Sequence, residues 1–289
     1  IQKQSNKNLI LYSLSTGLLI QSRIMGLIFP ILTFAIILLE IKNNEILRKK
    51  LLKIMFSIFI ILLVALIFWP FIWFDFVKNL SFYLNFLQHL SGPYTNLYFG
   101  ESILSNNTPW HFKFVWISIS IPVSVLIFSL LGFILIFLKF FNQTLSLDKN
   151  KNIWLNRNES LDFLVLVIIL FTFAATLKFK NNFDGWRHIY YVYPFLIYFT
   201  IFFIDKIKNI NSKGFLILIF IITINTFYNA YWMIKNHPFQ YTFFNSIHKI
   251  FIKKDFDLDY MGLSIKNSLE YILKNDKRNI IKISGFGET

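Results

Sequence analysis

The sequence predicts an all-α polytopic membrane protein, about seven transmembrane helices followed by a small extracytoplasmic α/β C-terminal segment, and three observations predict it. Of 289 residues, 55% are hydrophobic and only 15% charged, and the mean hydropathy of +0.55 is too high for a water-soluble domain of this length. Apolar runs at 54–74, 112–141 and 215–234 reach the roughly 20 residues that cross a hydrocarbon core. Cations gather in alternate loops between such runs. Lipid offers no partners to backbone N–H and C=O groups, so the runs must be helices.

The predicted spans are 8–22, 24–41, 54–74, 112–140, 161–178, 189–205 and 214–234, the first short enough to be re-entrant. Lys42, Arg48, Lys49, Lys50 and Lys53 lie between the second and third. Lys139, Lys149, Lys151 and Arg157 separate the fourth from the fifth, and Lys206, Lys208 and Lys213 the sixth from the seventh. The positive-inside rule makes these loops cytoplasmic. Loops 75–111 and 179–188 and the tail 235–289 then fall on the outer face, together with His89, His111, His188, His237 and His248. The organisation is a membrane domain over 1–234, with its outer loop at 75–111, and an extracytoplasmic segment over 235–289. The apolar periodicity of 76–90 predicts an interfacial helix, ended by Gly92-Pro93. In the tail, 264–274 reads as a helix with Ser264 as N-cap, and 279–284 as a strand. The chain opens on Ile1 without a Met or signal peptide and reads as a fragment.

The net charge of +14 is accounted for by loop cations, so it does not call for a nucleic acid. Zero cysteines exclude disulfides, thiol nucleophiles and thiolate metal sites. No Walker loop, His-Glu-x-x-His or Gly-x-Ser-x-Gly pattern occurs, which leaves nucleotide hydrolysis and serine-hydrolase chemistry without support.

The strongest local signal is Phe183-Asp184-Gly185-Trp186-Arg187-His188, a short loop joining two spans. An Arg makes paired hydrogen bonds to phosphate oxygens, while a carboxylate accepts from a sugar hydroxyl. A tight turn with an Asp184–Arg187 ion pair is the plainer alternative. Asn107-Thr108-Pro109-Trp110-His111 enters the fourth span from the same side, with Trp110 at headgroup depth and His111 suited to act as base, phosphate donor or metal ligand. Arg23, at the outer end of a span, needs either a lipid phosphate or a carboxylate. Asp75 reads as a helix-end polar residue in a Trp belt. In the tail, 237–241 and 256–263 mix aromatic surface with polar tips, a composition for stacking on carbohydrate or, more simply, for docking onto the membrane domain.

At these residues the sequence resembles the bacterial C-type polytopic glycosyltransferases, related to protein O-mannosyltransferases and to the aminoarabinose and glycosyl transferases of lipid A. The resemblance is carried in order by Ser22-Arg23-Ile24-Met25-Gly26-Leu27, Trp69-Pro70-Phe71-Ile72-Trp73, Pro109-Trp110-His111, Asp184-Gly185-Trp186-Arg187-His188, His237-Pro238-Phe239-Gln240-Tyr241 and Leu258-Asp259-Tyr260-Met261-Gly262-Leu263-Ser264. It implies transfer of a sugar from a polyprenyl-phosphate donor to a lipid, glycan or protein acceptor outside the cytoplasm of a bacterium. By matching position it implies that Arg23, Trp110, His111, Asp184, Arg187 and His188 bind substrate. The family's general base is an acidic residue of the first outer loop, which no residue here matches, and Met261 stands where a Trp is more usual. The fragment alone is therefore expected to lack its base. No cofactor is fixed by these motifs, and a divalent metal is the one they leave open. The competing reading is a transporter or flippase, which would place polar or broken helices at the membrane midplane.

Overall fold

The computed structural model describes residues 6–22, 24–40, 44–88, 94–145, 157–178, 182, 184–247, 256–259, 262–278 and 280. They are mostly helical. The chain runs through α1 (Asn6–Ser22), α2 (Ile28–Glu40), α3 (Asn44–Ile67) and α4 (Phe76–Gln88), then a hairpin of β1 (Thr95–Tyr98) and β2 (Glu101–Leu104). It continues through α5 (Phe112–Ser120), α6 (Val123–Leu145), α7 (Arg157–Lys178), α8 (Tyr193–Ile210), α9 (Ser212–Lys235) and α10 (Ser264–Asn275).

Two small-residue contacts set the closest helix pairs. A Cβ on Gly132 of α6 would lie 2.0 Å from the Phe199 carbonyl oxygen of α8, so the backbones touch and only glycine fits. Around that contact Phe195, Phe199, Ile136, Val165, Leu166 and Ile169 form the core shared by α6, α7 and α8. Between α1 and α3, a Cβ on Gly17 would sit 2.7 Å from that of Val64. Beside it the buried Ser13 hydroxyl bonds Ser57 Oγ at 2.6 Å, satisfying both hydroxyls away from water. Outward, apolar side chains such as Phe59, Leu62, Phe220 and Phe227 are exposed, and α9 has no buried residue at all. Helices apolar on their outward faces suit hydrocarbon rather than water as solvent.

Among the described residues three helices are long and apolar enough to cross a membrane, Val123–Asn142, Arg187–Ile210 and Ser212–Lys235, with shorter apolar helices at Leu52–Ile67 and Leu161–Leu177. The expectation of seven full spans is thus not met by helix length. The run 112–140 is two helices, because Ile121 is extended before Pro122 and the ring cannot supply the missing N–H. The run 24–41 opens with a 3-10 turn at Ile24–Leu27, which shortens α2 to 13 residues. The run 54–74 stops at Ile67, where a second 3-10 turn starts at Pro70. Trp73 Nε1 there donates to the Leu66 carbonyl at 2.8 Å, and Asp75 Oδ1 accepts from the Lys78 amide at 3.2 Å to cap α4.

At the end of the helices away from the hairpin, Asp162 of α7 is buried between two other helices. It receives Lys139 Nζ of α6 at 3.2 Å and the Tyr198 hydroxyl of α8 at 2.5 Å. Such a carboxylate is tolerated among apolar helices because both of its oxygens are bonded. The tail helix appears at Ser264–Asn275, but Ser264 is its first residue and not its cap. The cap is Asp259, whose carboxylate accepts from the Leu263 amide at 3.0 Å and from the Ser264 amide at 2.8 Å. Residue 280 apart, the predicted strand at 279–284 lies outside the described residues.

Candidate functional site

The site grows from two loops that precede helices. The first leads from the hairpin into α5. Its Ser105 amide donates to the Tyr94 carbonyl at 2.7 Å, Thr108 Oγ1 donates to the Ser105 carbonyl at 3.1 Å, and the Phe112 amide donates to the Pro109 carbonyl at 3.1 Å. The second leads into α8 through a 3-10 turn, Arg187–Val192. Asn182 joins the two. Its amide donates to the Ser105 carbonyl at 3.0 Å, its Nδ2 to Thr108 Oγ1 at 2.6 Å, and its carbonyl accepts from Asn96 Nδ2 at 2.8 Å. A buried asparagine bonded on three sides fixes the two loops to each other.

Past Asn182 the chain reverses sharply. Asp184 and Gly185 both have positive φ, 53° and 66°, a conformation natural to Gly185 and strained at Asp184. The reversal seats Gly185 on the indole of Trp116, which a Cβ would approach to 3.2 Å. It also lets Trp186 Nε1 donate to Ser120 Oγ at 2.7 Å. Asp184 and Arg187 are thereby closed into an ion pair of 2.7 Å, with both side chains three-quarters buried. Burial pushes the Asp184 carboxyl up from the ordinary range, and the Arg187 charge opposes the shift.

The tail completes the cluster. Phe256, almost without exposure, bridges to Tyr98 and lies edge-on to Tyr98, Phe99 and Trp116. Next to it, Asp257 Oδ2 accepts from the Leu97 amide at 2.9 Å. Burial raises the Asp257 carboxyl, the Leu97 amide opposes that, and the charge of Asp184 adds to it. The two acids therefore flank Trp116, one on each chain segment that packs against the ring. Asn245 anchors the same tail to the C-terminal end of α5, donating from Nδ2 to the carbonyls of Ser118 at 2.6 Å and Ile121 at 2.5 Å. His111 bonds the Tyr98 hydroxyl through Nδ1 at 2.7 Å, and burial raises the Tyr98 phenol. Trp110 projects outward with 68% of its surface exposed and its ring edge-on to Phe114.

Of the residues singled out in the sequence, Trp110 and His111 stand on the first loop and Asp184, Arg187 and His188 on the second. His111 and Asp184 are linked through Tyr98, Phe256 and Trp116. Arg23 lies outside the described residues. Among the described residues, no group of three or more His, Asp or Glu side chains comes together as a metal site. Sequence reasoning missed one member and the partner of another. Asp257 lies in the stretch 256–263 marked for docking onto the membrane domain, but its partner Leu97, some 160 residues away, gave no signal. Lys113 did give one, a single cation at the start of an apolar run. It is 8% exposed on α5. Comparison with protein-family models, with curated proteins and with solved structures finds no match for the chain.

Proposed function

We propose that the chain belongs to a membrane glycosyltransferase that moves a sugar from a polyprenyl-phosphate donor to an extracytoplasmic lipid, glycan or protein acceptor. The observation that carries this reading is the Asp184–Arg187 pair, held on a strained turn beside Asp257 and the His111–Tyr98 bond where apolar helices end. The reading includes the finer topology, about seven passes with the hairpin end outside a bacterial inner membrane. Arg187 presents its guanidinium to the donor phosphate, with Asp184 fixing its orientation. Trp110 and His111 contact the sugar, and His188 the donor. In the reaction the acceptor oxygen bonds the anomeric carbon as the carbon–oxygen bond to the phosphate breaks. The polyprenyl phosphate leaves with the bonding pair, and the acceptor proton goes to a carboxylate base.

The test is Arg187→Ala in the full-length protein, assayed for glycan transfer from a polyprenyl-phosphate sugar. A fall of roughly 100-fold is expected when a charged donor to a developing phosphate charge is removed. Unchanged transfer at intact expression sinks the site.

A transporter of a lipid-linked or sugar substrate is the second reading, and one observation favours it: the apolar run 112–140 is a broken helix, interrupted at Pro122. That reading predicts substrate uptake with no transfer activity.

A further inference from the structure

The break between α5 and α6 takes helical partners away from a set of backbone carbonyls. In an unbroken helix the amide of residue 122 would bond the Ser118 carbonyl, that of residue 123 the Ile119 carbonyl, and that of residue 125 the Ile121 carbonyl. Pro122 has no N–H to give, and the extended backbone of Ile121 carries the chain out of register before α6 starts at Val123. Carbonyls left open among apolar helices are costly, because little water is at hand to take them.

Asn245 of the tail bonds all three. Its backbone amide donates to the Ile119 carbonyl at 2.8 Å, and its Nδ2 donates to the carbonyls of Ser118 at 2.6 Å and Ile121 at 2.5 Å. An amide nitrogen has two protons, and both are spent on the break. Its Oδ1 accepts from the Ile247 amide at 2.8 Å, which turns the tail back on itself. The residue is 5% exposed, so the contact is made away from solvent.

The bonded carbonyls lie on either side of Ser120. Ser120 Oγ donates to the Trp116 carbonyl at 2.6 Å and accepts from Trp186 Nε1 at 2.7 Å. Trp186 stands between the positive-φ pair Asp184 and Gly185 and Arg187, and its carbonyl accepts from the Ile189 amide at 3.0 Å. The seat of the indole thus fixes where the Asp184–Arg187 ion pair stands, and the last turn of α5 supplies that seat. The helix bond that would tie this turn to α6 is the one Pro122 lacks, and the tail supplies a substitute.

We propose that Asn245 is a positioning residue for the candidate site: docked on the α5–α6 break, it holds Ser120 where Trp186 meets it and so sets the Asp184–Arg187 turn. The inference concerns the geometry of that turn, and it stands whether the turn serves transfer or transport.

Hydrogen exchange read by mass spectrometry, on the chain in phosphatidylcholine nanodiscs, tests it without any activity. Asn245→Leu keeps the volume and removes the side-chain donors, and Asn245→Ala serves in its place if the leucine variant does not fold. Exchange across 184–193 should rise about tenfold or more, the scale set by leaving a buried acceptor unpaired, while 132–140 of α6 stays within about twofold of the parent. Ser120→Ala, which removes only the acceptor of Trp186, should also raise exchange across 184–193. The Asn245 substitution added to it should raise exchange little further, because the two residues act through one chain of contacts. The proposal is overturned if a folded Asn245 variant, or Ser120→Ala, exchanges across 184–193 like the parent. It is also overturned if 132–140 loosens as much as 184–193, or if the Asn245 and Ser120 effects add in full.

Discussion

Asp184 makes the physical argument at the scale of one residue. Burial raises its carboxyl, and that of Asp257, above the ordinary range. Between the ordinary carboxylate value and the raised one the folded chain holds more protons than the unfolded one, so the stability these groups contribute falls as pH climbs through that window. Reversible unfolding followed across the carboxylate range should show the fall in the parent chain and a smaller one in Asp257→Asn. An equal slope in both would mean that the Asp257 carboxyl is solvated in the folded state. Both residues stood in marked stretches, Asp184 in a motif with Gly185 and Arg187 and Asp257 within 256–263. Burial is a property of what packs around a side chain, and Asp257 meets Leu97 from far along the chain.

At the scale of elements, helix identity follows from local chemistry and helix length does not. The runs that composition marks as apolar are helices, and Pro122 breaks the 112–140 run where its missing N–H must break one. The tail helix starts where its pattern places it, yet the cap comes from Asp259 five residues upstream, through a loop whose Gly262 has a φ of 67°. The contact between α6 and α8 rests on one glycine. Gly132→Val would force a side chain into the Phe199 carbonyl, and the pair must separate by more than an ångström. A loss of about 3 kcal/mol or more is expected, in the range of severe overpacking. It should appear as a lower midpoint of thermal unfolding in detergent, whereas the lipid-facing Leu130→Val on the same helix should leave the midpoint nearly unchanged. Equal midpoints for the two variants would show that α6 and α8 are not in backbone contact.

For the whole molecule, charge and aromatic chemistry separate to the two ends of the helices. Around the hairpin lie Trp110, His111, Asp184, Arg187 and Asp257, while Lys139, Glu159 and Asp162 meet at the other end. The chain has no cysteine, so single-cysteine labelling has no background. Asn106→Cys beside the hairpin and Lys213→Cys at the start of α9 are both at exposed positions. In intact cells an impermeant maleimide should label the first and not the second. Labelling of both, or of Lys213→Cys alone, would overturn the proposed orientation.

By itself, the sequence determined the apolar and mostly helical character of this protein, but neither the lengths of its helices nor the hairpin at 95–104. Apolar composition and run length depend only on local residues, and lipid leaves a backbone little choice but the helix. The loops that carry Trp110, His111, Asp184 and Arg187 were legible for the same reason, as polar residues at the ends of apolar runs. Tertiary structure alone decided that Asn182 ties those loops together and that the tail brings Asp257 beside Asp184. Each of these depends on segments distant in the chain packing around the indole of Trp116, and a proximity created by packing leaves no pattern in the order of residues.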